Sequence, residues 1–389
     1  MKTKYTFSLI VLFLCISQGI SSQTVVQKYG RLHTSGNKLV DKNEKTVRLA
    51  GMSFYWTNND WGGDKFYTAG AVKSLVDNMK CNILRVAMGV NEGGGLVDDS
   101  ASNKTRVRTV VNTCIAKGIY VIICFHSEDA HTYKKQAISF FTEMAKKYGA
   151  YENVIYELNN EPGSVSWSDV VKPYANEVID SIRKYDPDNL VIVGTTNWAK
   201  DVDVAAGDPV DDSNVAYAFH FFPGGDYTLA TYSTRITNAL NKGVAIFATE
   251  WGMCSDTTLV EQWIGFMKSK DIGICNWCVN DNESEKYSLL KSGASTTGAW
   301  FDNNFSTNGK YVKNIIASYS ADNIAFNNAP ANIESHTTYV IHVTYNAVAQ
   351  RELHIDFLDA SNTLLGSGMT MVDASSGTAT ILSLIHISQ

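Results

Sequence analysis

A repeated pattern restricts this chain more than any other feature. From about residue 45 onward, short apolar runs rich in Val and Ile alternate with amphipathic stretches. The apolar runs fall at 47–54, 82–88, 120–125, 154–158, 190–194, 215–219, 244–248 and 273–277. Within them apolar and polar residues do not alternate, as they would in strands wet on one face. A continuous run marks a strand covered on both faces, the habit of parallel sheets. The stretches between carry helical stripes, such as Ala71, Val72, Leu75, Val76 and Met79, then Val107, Val110, Val111, Cys114 and Ile115. Further stripes run through Ala137, Phe140, Phe141 and Met144, through Tyr174, Val178 and Ile182, and through Trp263, Phe266 and Met267. Gly118 and Gly149 end two of these helices in the manner of glycine C-caps. Eight such strands alternating with helices predict an α/β fold, the (β/α)8 TIM barrel. An open doubly wound sheet would call for a spaced glycine fingerprint after the first strand. Gly93-Gly-Gly95 follows the second run without that spacing and reads as a loop.

Both ends of the chain have a different texture. Residues 1–23 read as a secretory signal: Lys2 and Lys4 open it, 7–15 is mostly apolar, and small residues follow. That apolar run is too short to span a membrane, and no later segment is long enough, so the protein is expected to be secreted. The barrel domain is expected at 24–318. From 319 to 389, segments such as Thr338-Tyr-Val-Ile-His-Val-Thr-Tyr345 and Leu353-His-Ile-Asp-Phe357 alternate apolar and polar residues. They predict a small all-β, sandwich-like module, read as incomplete at its C-terminus because the chain stops close behind a strand. His342, His354 and Asp356 lie on its polar strand faces and read as solvated.

Cys15 falls in the signal; the other six cysteines read as buried thiols or one or two disulfide staples. Cys275-Asn-Trp-Cys278 has the spacing of a redox pair, yet residues three apart on a strand face opposite ways. No histidines stand at zinc-ligand spacing around these cysteines. Sequons begin at Asn103, Asn282 and Asn304. The net charge of −6 gives no attraction to nucleic acid or anionic membranes, and a neutral polysaccharide would not be repelled.

In a barrel of this kind, chemistry sits where the strands end. Arg85 lies in the second run, and His126 ends the third. Asn160 and Glu161 follow the fourth, His220 ends the sixth, Glu250 follows the seventh, and Trp277 ends the eighth. So many polar groups at the ends of buried strands require one another as partners. Two carboxylates facing one gap are what cleavage of a glycosidic bond needs.

This set resembles glycoside hydrolase family 5, the cellulase-like retaining enzymes, over about residues 32–316. The resemblance rests on Ile83-Leu-Arg85-Val-Ala-Met88, Val154-Ile-Tyr-Glu-Leu-Asn-Asn-Glu-Pro162, Tyr217-Ala-Phe-His220 and Ala248-Thr-Glu-Trp-Gly252. It implies a secreted, monomeric endo-β-1,4-glucanase that hydrolyses internal bonds of cellulose by double displacement, with no cofactor and no metal. Glu161 would be the acid/base, its pKa raised by burial and by the charge of Glu250. Glu250 would be the ionised nucleophile, with Arg85 as its charge partner, and a carboxyl separation near 5–5.5 Å is expected. Asn160 would hydrogen-bond the sugar 2-hydroxyl, and His126 and His220 would bind sugar hydroxyls and tune Glu161. Trp277, Trp198 and Trp56 would offer flat faces to pyranose rings. Mannan, xyloglucan or mixed-linkage glucan are alternative substrates, and a feeble or inactive glucan-binding protein is the alternative from another class. Three departures from the family pattern stand out. Phe222 replaces a tyrosine that hydrogen-bonds the nucleophile, for which Tyr227 is the nearest substitute. Cys124 replaces an aspartate, and a lysine common after Trp277 is missing.

Overall fold

A computed structural model describes residues 23–319 apart from 226 and 285, together with backbone strands between 325 and 384. All eight expected strands form. They are β1 Ala50–Phe54, β2 Ile83–Gly89, β3 Tyr120–His126 and β4 Val154–Glu157, then β5 Val191–Gly194, β6 Val215–Phe221, β7 Ala245–Trp251 and β8 Gly273–Val279. Each pairs in parallel with the next, and β8 closes on β1 to complete the barrel.

The helices between them are α1 Ala69–Asp77, α2 Ser100–Lys117, α3 Lys134–Tyr148 and α4 Lys172–Arg183, followed by α5 Val202–Ala205, α6 Leu229–Asn241, α7 Thr257–Ser269 and α8 Thr307–Tyr319. Side-chain caps start four of them: Thr68, Asp99, Thr228 and Asp256 each accept a backbone N–H of the first turn. Each such cap contributes about 1 kcal/mol. Gly118 ends α2 as expected, in the left-handed conformation with φ 65° and ψ 36°. Gly149 does not, because its backbone stays right-handed at φ −59°. Its lack of a side chain serves close packing instead, since a Cβ there would lie 2.8 Å from the Cβ of Asp186.

Strand geometry sorts the side chains into two cores. Leu84, Val86, Val121, Ile123 and Phe125 point outward and pack beneath the helices. Ile83, Tyr120, Ile122, Ile155, Ala218, Phe247 and Cys275 point inward and fill the lower barrel. Side chains two apart on a strand share a face. Arg85 therefore sits above Ile83, Cys124 and His126 above Ile122, and Glu157 above Ile155. His220 likewise sits above Ala218, Thr249 above Phe247, and Trp277 above Cys275. The barrel interior is apolar below and polar above, and the polar layer is the site.

All six described cysteines are free thiols, so the staples allowed by the sequence do not form; five are buried and Cys254 is half-buried. Asn103 is also buried, with its amide donating to the carbonyls of Gly94 and Asp99, which closes that sequon.

The later strands pair antiparallel, in line with their alternating sequence. Ala325–Asn327, Thr338–Asn346 and Ser376–Leu384 make one sheet, and Arg351–Leu358 pairs with Leu364–Val372 in another. The expected signal and the chain terminus lie outside the described residues, as do the side chains of His342, His354 and Asp356.

Candidate active site

Arg85 is the hub of the polar layer. It is fully buried, where a guanidinium is tolerated only if its donors are met. It has five N–H donors, and each has an acceptor within reach. Nε donates to Glu157 Oε2 at 2.5 Å. One terminal nitrogen serves Glu250 Oε1 at 2.7 Å and Ser53 Oγ at 3.3 Å. The other serves Asn160 Oδ1 at 2.6 Å and Cys124 Sγ at 3.2 Å. Register puts these groups side by side: Ser53 is the Cα partner of Arg85, and Cys124 is the partner of Glu157. The expected pairing of Arg85 with Glu250 is therefore present, and Cys124 keeps a polar contact despite its apolar character.

Sequence reasoning missed Glu157. A glutamate inside a non-alternating apolar run was the available signal, because a charge buried on both faces must have a partner. Thr249 was missed as well. Its hydroxyl lies 2.8 Å from His220 Nε2 and fixes the ring from the side opposite Glu161.

The two expected catalytic glutamates come together. Glu161 Oε1 lies 2.6 Å from His220 Nδ1, and the same nitrogen lies 3.9 Å from Glu250 Oε2. One ligand-type atom from each of Glu161, His220 and Glu250 lies within 4.8 Å of the others. These are residue types that could hold a metal ion, but His220 has both ring nitrogens engaged, one with Glu161 and the other with Thr249. The trio is therefore wired as a proton-sharing set. Asn159 locks the end of β4 by exchanging hydrogen bonds with the backbone of Gly194, at 3.0 Å and 2.9 Å, which fixes where Asn160 and Glu161 emerge.

The charge balance differs from the sequence expectation. Burial pushes the Glu250 carboxyl up to about 7; His220 and Arg85 pull it down, and Glu161 adds to the rise. Burial also raises Glu161, but the His220 hydrogen bond and the charges of His220, Arg85 and Lys200 outweigh it and hold this group below its ordinary value. His126 stands closer to the nucleophile position than expected, with Nε2 3.9 Å from Glu250 Oε1. Burial, Arg85 and His220 push its pKa well down, which keeps the imidazole neutral.

The expected aromatic faces divide into two places. Trp277 stacks on His126 at 5.4 Å and 13°, and Trp56 meets the same ring edge-on at 4.1 Å. Trp198 stands on the loop after β5 and is 40% exposed. Its turn is strained, because Asn197, Trp198 and Ala199 all take left-handed φ, at 58°, 57° and 54°. Such residues cost about 1–2 kcal/mol each. Two bonds to the segment after Glu161 hold the turn: Asn197 N–H donates to the Gly163 carbonyl and Trp198 N–H to the Pro162 carbonyl.

Phe222 packs with Trp277, Cys278 and Tyr287, over Gly252, where a Cβ would lie 2.3 Å from its ring. Tyr227 rests against Phe222 at 6.2 Å. Burial first, then the charges of Glu161, Tyr232 and Glu250, raise its hydroxyl pKa, which places the phenol within reach of both glutamates' fields. A cavity of 710 Å³ opens beyond Phe222 and Tyr227 and is lined also by Cys254, Lys286, Tyr287 and Asn308. Lys286 thus supplies a cation from the segment after β8, although not at the expected position.

Residues 40–283 match the family described as cellulase, glycosyl hydrolase family 5. Residues 324–384 match the porphyranase-associated domain. Endoglucanase Z of Dickeya dadantii is 44% identical over 299 residues, which are 74% of this chain and 66% of that protein. An endoglucanase of Clostridium saccharobutylicum is 42% identical over 302 residues, 74% of this chain and 65% of that one. The chain therefore spans just under two thirds of the length of these relatives. Among solved structures, a Cytophaga hutchinsonii protein superposes with a TM-score of 0.72 at 39% identity, over 76% of this chain and 97% of its own. The catalytic domain of a Thermobifida fusca endoglucanase gives 0.70 at 29% identity, over 75% and 99%.

Proposed function

The chain belongs to glycosyl hydrolase family 5, the cellulase family, and from that premise we propose that it is a secreted endo-β-1,4-glucanase that works with retention. The observation that carries the mechanism is the spacing of Glu161 and Glu250, whose nearest oxygens lie within 4.8 Å. Retaining enzymes hold their carboxyls about 5–5.5 Å apart, whereas inverting enzymes leave about 6.5–9.5 Å for a water.

In the first step Glu250 attacks the anomeric carbon while Glu161 gives its proton to the departing glycosidic oxygen. In the second, Glu161 takes a proton from water, which attacks the same carbon and releases Glu250. The proton must lie on Glu161 when the glucan is cleaved. Substrate favours that location, because the glycosidic oxygen is an acceptor beside Glu161 and stabilises the protonated acid. Arg85 meanwhile keeps its 2.7 Å bond to Glu250 and favours the anion there. His220, in contact with Glu161 and near Glu250, lets the proton redistribute between them without bulk water.

Viscosity and reducing-sugar release on carboxymethyl cellulose, run beside mannan and xylan, test the assignment. The expected result is a fast viscosity fall on the cellulose derivative. Release from mannan or xylan alone would replace the substrate assignment, and binding without release from any polymer would overturn the enzymatic one.

A further inference from the structure

Cys124 carries a thiol that the two-step reaction does not use, yet it stands in the middle of the polar layer. It is fully buried. Its Sγ lies 3.2 Å from a terminal nitrogen of Arg85 and 3.7 Å from His126 Nδ1. A guanidinium has only donors, so the sulfur accepts from Arg85. One more atom bears on the thiol. Glu157 Oε1 is buried and meets no hydrogen-bond donor among the described residues. Cys124 and Glu157 are Cα partners on β3 and β4, and both side chains point into the barrel. The lone pairs of the sulfur suit the N–H groups of Arg85 and His126, and its single hydrogen suits the unmet oxygen of Glu157. The aspartate of the family pattern would have no hydrogen to give when ionised, and it would set a third carboxylate around Arg85 beside Glu157 and Glu250.

We propose that Cys124 is a positioning residue: a neutral donor to Glu157 that keeps the layer one negative charge short and thereby sets the pH at which Glu250 ionises. The inference rests on the reading of Glu250 as the nucleophile, and it acts through Arg85, which Cys124, Glu157 and Glu250 all touch.

The surroundings favour a thiol that keeps its proton. Burial holds it well above its ordinary value, Arg85 pulls it down, and Glu157 and Glu250 add to the rise. Two phenols also face it, Tyr67 before α1 and Tyr174 on α4. Burial keeps both neutral, and their hydroxyls donate to the carbonyls of Tyr55 and Leu158. The groups that face Glu250 are Arg85 on β2, His126 on β3, Glu161 after β4, His220 on β6, Tyr227 after β6 and Cys275 on β8. Burial raises the Glu250 carboxyl first, His220 and Arg85 pull it down, and Glu161 adds to the rise. An anion at position 124 would act in the same sense as Glu161, so Glu250 would hold its proton to higher pH.

The test compares wild type with Cys124→Asp, Cys124→Asn and Cys124→Ser. Aspartate and asparagine share a shape and differ in charge, and serine keeps a hydrogen to donate. Carbon-13 NMR follows the side-chain carboxyls across pH, with the Glu250 signal identified by its loss in Glu250→Gln. The alkaline limb of kcat/KM on an aryl cellobioside is measured beside it. The Glu250 midpoint and the alkaline limb are both expected about one pH unit higher in Cys124→Asp than in Cys124→Asn, with Cys124→Ser close to wild type. Adding Glu157→Gln to Cys124→Asp restores the number of carboxylates and should return the midpoint to the wild-type value, which keeps the test sound if the single variant does not fold. A thiol that only fills space would leave the aspartate and asparagine variants alike, and that result overturns the proposal. A serine variant displaced as far as the aspartate one overturns it too. If the NMR midpoint moves as expected but wild type cleaves no glucan, the charge-setting role of Cys124 stands and the reading of Glu250 as nucleophile falls.

Discussion

Glu157 shares Arg85 with Glu250, and Glu157→Gln tests how the buried chain of carboxylate, guanidinium and carboxylate sets the nucleophile. Glu157 is fully buried, and its Oε2 lies 2.5 Å from Arg85 Nε. The amide oxygen of glutamine can still accept that N–H, so the geometry survives, but one negative charge leaves the site. Replacing a charged hydrogen bond by a neutral one costs stability of about 1–2 kcal/mol. That corresponds to a fall in Tm of roughly 2–8 °C for a domain of this size. The effect on Glu250 has a definite sign. Its carboxyl sits at about 7, raised by burial against the pull of His220 and Arg85. With Glu157 neutral, Arg85 no longer divides its charge between two anions, and a like charge near Glu250 is gone. At an effective dielectric of about 20 this stabilises the Glu250 anion by about 1–2 kcal/mol, or about one pH unit. Because Glu250 is the higher of the two carboxyls and Glu161 the lower, titration of Glu250 sets the alkaline limb of kcat/KM, and that limb should therefore move down by about one unit. The assay is the pH profile of a chromogenic aryl cellobioside, with thermal unfolding as the control for fold. An alkaline limb that stays in place, or rises, in a folded Glu157→Gln protein would refute the account of Arg85 as a shared counter-ion.

Glu161→Gln should reduce turnover of soluble cellulose derivatives by about 10²–10⁴-fold with little change in Tm, measured as reducing-sugar release. Glu250→Gln should abolish turnover and alter the pH dependence of stability. The Glu250 pKa is raised from 4.5 to about 7 in the fold, so the native state holds a proton that the unfolded chain releases. Wild-type stability from this group is fully present below the lower value and is lost as pH rises toward the upper one. Calorimetry should therefore show the variant gaining on wild type at pH 8 and the gain shrinking toward pH 4.5. Gly118→Ala should lower Tm by several degrees, because φ is 65° there and the new Cβ would lie 2.4 Å from Thr24 Oγ1; unchanged melting would argue against that cap.

Much of the fold was legible because a barrel strand buried on both faces leaves a continuous apolar run, and all eight runs became strands. Glu161, Glu250, Arg85 and His220 were legible for the complementary reason: polar groups at the end of such a run must meet one another. What sequence could not give was order within the layer. The expected raised acid at Glu161 and ionised Glu250 stand in reverse in the structure, because burial of Glu250 exceeds the pull of Arg85, while His220 lies on Glu161. Glu157 escaped notice since its partner lies two strands away, across β3, where no local pattern reports it. Lys200 and Tyr227 sit on loops, where no periodicity reports position. Gly149 looked like a helix cap, yet its role is close packing against Asp186, a contact that no local pattern encodes.

The stereochemistry of the first product tests the central claim most directly. Proton NMR of cellotetraose hydrolysis, followed within the first minutes, resolves which anomer forms before mutarotation mixes them. Carboxylates set as close as Glu161 and Glu250 predict the β-anomer first, by way of a covalent glycosyl intermediate on Glu250. The α-anomer first would contradict double displacement, and an absence of any product would contradict the enzyme itself.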